Sequence, residues 1–96
     1  MSREPATLRL SAILDLKAAA PLKADLLAAK DHSVEIDASH VQRLGGLCLQ
    51  VLLAAQRSWA IEGKTLRVIN PSTDFADGLA LFGAASLNAD SSGVRL

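Results

Sequence analysis

The chain has 96 residues, with ten Lys or Arg against ten Asp or Glu, so its formal net charge is zero. Half of its residues are apolar, which suits one globular domain with a buried core but not two. A neutral chain lacks the basic surface that attracts phosphate backbones, so nucleic acid is not an expected partner.

Neither a membrane span nor a signal peptide is expected from the residue pattern. The most apolar stretch, from Leu44 to Ala55, is far shorter than the roughly 20 residues that span a bilayer, so we expect no membrane insertion. Residues 1–10 lack the apolar region of a signal peptide, and a single Cys cannot form an internal disulfide. We therefore expect a cytoplasmic protein.

The first half of the chain switches between strand and helix patterns. Polar and apolar residues alternate over residues 7–10, which predicts a strand, and residues 12–14 are a candidate for a second, short one. Apolar residues then recur at helical spacing, and together with Pro21 near the start they predict a helix over residues 20–30. Alternation returns over residues 34–37, so another strand follows.

The second half contains two further helices around one strand. A long apolar segment, Leu47 to Glu62, predicts a central helix that ends at Gly63. Residues 65–69 read as a strand, and Ser72 or Thr73 is expected to cap a last helix. Three apolar residues of that helix share one face at positions i, i+4 and i+7: Phe75, Leu79 and Phe82.

This order of elements predicts an α/β fold. Strands that alternate with helices form a parallel sheet, so we expect a small, mostly parallel sheet of about four strands packed against three to four helices. We expect residues 1–96 to form one domain, with flexible tails at residues 1–5 and 88–96.

Candidate catalytic groups are few. Nucleophilic chemistry would depend on Cys48, His32 or His40, but Cys48 lies in the most apolar helix, where a free Cys is usually a small buried hydrophobe. These three residues lack the spacing of a metal site. Gly45-Gly46 lacks the Lys and Ser or Thr of a nucleotide-binding loop and is interpreted as a turn with close backbone approach. We therefore expect no enzyme, no metal and no cofactor, but an interaction module.

The order of the elements and the amino-acid sequences of several segments resemble those of the STAS domain family. Its members are the small domains of bacterial anti-sigma factor antagonists and sulfate transporter tails. The resemblance covers about residues 6–87. The matching segments are Leu14-Asp15-Leu16 after the first strand, residues 34–37 running into 38–44, the helix over 49–55, and residues 63–72 with Phe75. This resemblance implies a small α/β domain that binds a protein partner and has no enzymatic activity.

Antagonists of this family carry a loop of the form Asp-Ser-Ser-Gly-Leu, whose first Ser, or a Thr in its place, is phosphorylated by the partner kinase. The resemblance aligns this loop with residues 45–49, of which only the final Leu matches. The phosphoacceptor position falls on Gly46, which has no hydroxyl. The resemblance therefore implies no phosphoacceptor in this loop.

Gly45-Gly46 and the following Cys-Leu-Gln-Val-Leu-Leu resemble a subgroup of stand-alone domains from chemotaxis operons of alphaproteobacteria. That subgroup implies binding to a chemotaxis histidine kinase and faster removal of phosphate from the response regulator. Two other roles of the family stay open: a cytoplasmic subunit of a lipid-transport ATP-binding cassette complex, and an anti-sigma factor antagonist.

The expected partner-binding residues surround the end of the second long strand and the start of the central helix. They are Ser39, His40, Gln42, Arg43, Gly45, Gly46 and Leu47. A polar patch around an exposed aliphatic side chain is typical of a transient interface. Within it, the Ser39 hydroxyl is expected to accept hydrogen bonds from backbone donors of the turn.

Overall fold

The computed structural model describes residues 6–83, which form five strands and three helices. In chain order they are β1 (Ala6–Arg9), β2 (Ile13–Leu14), α1 (Leu16–Ala28), β3 (Val34–Asp37), β4 (Arg43–Leu44), α2 (Gly46–Ile61), β5 (Leu66–Ile69) and α3 (Thr73–Leu81). No helix within this range is long and apolar enough to cross a membrane.

The five strands form two parallel sheets. The larger sheet has the order β1-β3-β5, with Leu8 opposite Ile36 and Ile36 opposite Val68. The smaller sheet pairs β2 with β4, so that Leu14 lies opposite Leu44. The predicted α/β class with parallel strands is confirmed, and the five strands are close to the expected number of about four, but they form two sheets instead of one.

The additional strand is β4, at a position where the sequence predicts no strand. Two residues are too few to show an alternating pattern, and β4 exists only because β2 offers it a partner. The candidate strand at residues 12–14 is confirmed as β2, and those at 7–10, 34–37 and 65–69 correspond to β1, β3 and β5.

Helix α1 begins at Leu16 rather than at Ala20 and ends at Ala28 rather than at Lys30. Asp15 sets the start, because its carboxylate accepts hydrogen bonds from the backbone N–H groups of Lys17 at 3.1 Å and Ala18 at 3.2 Å. The expected position of Pro21 near the start is therefore wrong: it lies inside the helix, on its exposed side.

Helix α2 supplies much of the core and lies within one residue of its predicted bounds. One row of its side chains is buried: Cys48, Leu52, Ala55 and Trp59. The Trp59 indole N–H donates a hydrogen bond of 2.7 Å to the backbone oxygen of His32, which satisfies the one polar group of this side chain. Helix α2 packs against both α1 and β5.

Helix α3 is capped by Ser72, whose hydroxyl accepts a hydrogen bond of 3.0 Å from the backbone N–H of Phe75. Phe75 and Leu79, two residues of the predicted apolar face, are buried, but the third, Phe82, has half of its side chain exposed. The helix ends at Leu81, and Phe82 no longer follows the helical row. The predicted tails, residues 1–5 and 88–96, lie outside the described residues.

Candidate partner-binding surface

The loop after β3 begins with a turn that Asp37 holds. The Asp37 carboxylate accepts a hydrogen bond of 3.0 Å from the Ser39 backbone N–H and lies 3.5 Å from the Arg9 guanidinium. The two Ser39 donors, backbone and hydroxyl, lower the pKa of the Asp37 carboxyl below its ordinary value, and Arg9 adds to this. Asp37, rather than the Ser39 hydroxyl as expected, therefore accepts from the backbone donor of this turn.

The middle of the loop is fixed by Ser72, at the start of α3. The Ser72 hydroxyl donates a hydrogen bond of 2.6 Å to the Val41 carbonyl, and the Ser72 backbone N–H donates to the Ala38 carbonyl at 3.1 Å. The same hydroxyl caps α3 through Phe75. The sequence indicated only the capping function, because nothing local shows that Ser72 also reaches a loop 31 residues earlier.

The far end of the loop is fixed by β2. The backbone N–H groups of Gln42 and Arg43 both donate to the Ala12 carbonyl, at 2.7 and 3.1 Å, and β4 then pairs with Ile13 and Leu14. Within the loop, Val41 and Leu44 point into the core, whereas the predicted partner-binding side chains are exposed: Ser39, His40, Gln42 and Arg43. The backbone is thus held at three points while these side chains face solvent.

Gly45 joins the loop to α2 at a point of very close backbone approach. Its N–H donates to the Leu14 carbonyl oxygen at 2.9 Å, and a Cβ at this position would lie only 2.8 Å from the same oxygen. Its φ of −89° is open to any residue, so lack of space explains this glycine, not backbone conformation. The close approach expected for Gly45-Gly46 is confirmed at Gly45.

Gly46 is less crowded than Gly45. A Cβ there would lie 3.7 Å from the Phe82 ring, an ordinary contact distance. Leu47 follows with 45% of its side chain exposed, and Phe82 has 50% exposed. Phe82 therefore adds an aromatic ring beside the predicted surface, a contribution that its helical spacing with Phe75 and Leu79 does not indicate. We call residues 39, 40, 42, 43 and 45–47 the loop surface.

Catalytic groups do not meet at this surface. The Cys48 side chain is fully buried and its thiol donates to the Asp15 carbonyl at 3.3 Å, while His32 and His40 are exposed. Burial, and then the charge of Asp15, raise the pKa of the Cys48 thiol, which keeps it protonated and unreactive. Within residues 6–83, no three His, Cys, Asp or Glu side chains lie together as metal ligands.

The fold and the loop surface define a small α/β domain suited to protein contact. The whole chain, residues 1–96, matches a family model described as "Mlab, STAS domain". The chain belongs to the STAS domain family, whose members are in general non-enzymatic modules for protein–protein interaction. No curated protein and no solved structure matches it significantly.

Proposed function

We propose that this domain binds a chemotaxis histidine kinase through the loop surface, without catalysis of its own, and so promotes removal of phosphate from the response regulator. The observation that carries the binding surface is the combination of exposed side chains with a backbone fixed by Asp37, Ser72 and Ala12. A loop that is already ordered loses little conformational entropy when a partner binds, so its contacts contribute fully to affinity.

The binding is not switched by phosphorylation at the position that antagonists of the family use. Gly46 occupies that position at the start of α2 and offers no hydroxyl. The hydroxyl nearest to Gly46 along the chain, that of Ser39, interacts with the Asp37 carboxylate. Incubation with ATP and an anti-sigma-type kinase should therefore leave residues 41–50 without phosphate in mass spectrometry, and a phosphate found there would contradict the alignment.

The choice of a chemotaxis kinase is supported by the resemblance of Gly45-Gly46 and the helix that follows to domains of chemotaxis operons. A cytoplasmic subunit of a lipid-transport ATP-binding cassette complex and an anti-sigma factor antagonist are the alternatives. The missing hydroxyl at Gly46 weighs against the second alternative, because a phosphorylation switch at this position needs an acceptor.

An affinity capture from native lysate, with the bound proteins identified by mass spectrometry, tests both partner and surface. We expect the intact chain to retain a histidine kinase, and Leu47→Asp and Arg43→Asp to lose it through lost apolar contact and reversed charge. Both residues are exposed, and an acid at the start of α2 suits the helix dipole, so thermal stability should hold.

The matched control is Arg57→Asp, a charge reversal at an exposed position of α2 that belongs neither to the loop surface nor to its neighbours. It should retain the kinase. Capture of lipid-transport subunits in place of a kinase would establish the first alternative. Unchanged kinase binding by both folded loop variants would show that the loop surface is not the interface.

A further inference from the structure

A second exposed apolar surface lies between α1 and α2. It is a groove of about 400 Å³ whose floor and walls are mostly aliphatic, with one aromatic ring: Leu26 and Leu27 from α1, and Leu47, Val51, Ala54, Ala55 and Trp59 from α2. Leu27 is 57% exposed and Leu47 is 45% exposed, so the apolar lining is accessible from solvent. We call this surface the helix groove.

The helix groove is lined by one charged side chain, which is positive. Its polar lining consists of Lys23, Gln50 and Ser58, so the single ionised group is a cation. Among residues 6–83, Lys23 forms no ion pair, and no acidic side chain lines the groove. A ligand that places a carboxylate opposite Lys23 would therefore complement the groove, whereas a basic ligand would be repelled.

The shape of the groove suits a helix. Its lining extends along α2 from Leu47 to Trp59, a length of about 18 Å at 1.5 Å per residue, or about three helical turns. An amphipathic helix fills such a groove with apolar side chains at positions i, i+3 or i+4, and i+7. A second copy of this chain fits less well, because two concave surfaces do not fill each other and two Lys23 side chains would face one interface.

We propose that the helix groove binds an acidic amphipathic helix of a partner protein, with a carboxylate of that helix opposite Lys23. Leu47 belongs both to the loop surface and to the groove, so a partner that contacts the loop can place a helix in the groove at the same time. To that extent the proposal rests on the proposed function.

Two synthetic helical peptides of about 14 residues, or roughly four turns, test it. They share one apolar face and differ in a single position, Glu in one and Lys in the other, at the edge of that face. Trp59 is the only Trp of the chain and lines the groove, so its fluorescence reports binding directly. The Glu peptide should bind about five- to tenfold more tightly than the Lys peptide at low salt.

Substitutions in the protein make this test specific. Lys23→Glu should reverse the preference between the two peptides, because it exchanges attraction for repulsion. Ala54→Gln should weaken both peptides equally, since Ala54 is an exposed lining residue and a longer neutral side chain fills the groove without changing its charge. Arg57→Glu, on an exposed position of α2 outside the lining, should change nothing.

Failure of the Glu peptide to bind, or equal affinity for both peptides, would overturn the proposal. So would groove-dependent dimers of the free chain in analytical ultracentrifugation, or a peptide of residues 84–96 that displaces the Glu peptide, since each assigns the groove to another occupant. The titration contains no kinase, so its failure is separate from a failure of the loop surface, which Arg43→Asp tests by kinase capture.

Discussion

Replacing Gly45 by Ala should destabilise the domain, whereas the same replacement at Gly46 should not. The new Cβ at position 45 would lie 2.8 Å from the Leu14 carbonyl oxygen, which is a backbone atom and already accepts the Gly45 N–H at 2.9 Å. Relief of this clash requires the chain to move away from Leu14, which weakens the hydrogen bond and the pairing of Leu14 with Leu44.

The size of the effect follows from the two contact distances. An extra methyl group that forces a backbone shift costs about 1–3 kcal/mol. At Gly46 the Cβ would be 3.7 Å from the Phe82 ring, and a Gly→Ala change without strain stabilises a domain by about 0.4–1 kcal/mol. The free energies of unfolding of the two variants should thus differ by roughly 1.4–4 kcal/mol, or at least about 6 °C in melting temperature.

Urea unfolding followed by Trp59 fluorescence, together with thermal melting by circular dichroism, measures this difference. Both variants carry the same added methyl group at neighbouring positions, so their compositions are identical. Gly45 is the N-cap residue of α2, where Gly is preferred over Ala, and this preference adds to the expected difference in the same direction. If Gly45→Ala proves as stable as Gly46→Ala, the close approach to Leu14 is not the reason for the glycine at position 45.

Three further changes test the core and the loop. Leu52→Ala, at a fully buried position, should lower the free energy of unfolding by about 2–5 kcal/mol in urea titration, and a smaller loss would mean that the core collapses around the cavity. Trp59→Phe removes the hydrogen bond to the carbonyl of the exposed His32 and should cost about 0.5–1.5 kcal/mol in the same assay, with circular dichroism as the probe. The lowered pKa of Asp37 contributes stability above the ordinary carboxyl pKa of about 4, and this stability is lost as the pH falls below it. Asp37→Asn should therefore reduce stability at neutral pH and flatten its decline in acid; an unchanged acid profile would show that Asp37 is not a source of that decline.

Regular local patterns allowed much of the fold to be predicted from the sequence. Alternation revealed β3 and β5, the apolar period revealed α2, and Gly63 and Ser72 marked where helices end and begin. These signals are local, because a cap or an amphipathic face depends on residues only a few positions apart. The two glycines at the start of α2 also predict a close backbone approach, but they do not indicate that the Leu14 carbonyl oxygen is the atom approached.

Contacts between distant segments decided the rest. The two-residue strand β4 exists because β2 lies beside it, and Ser72 fixes a loop that precedes it by 31 residues. Phe82 lies beside Gly46 although it shares the helical spacing of the buried Phe75 and Leu79. The helix groove likewise requires α1 and α2 to lie side by side, which brings Lys23 and Leu47 to one surface. Residues far apart in the chain have no shared periodicity, so only tertiary packing determines which of them meet.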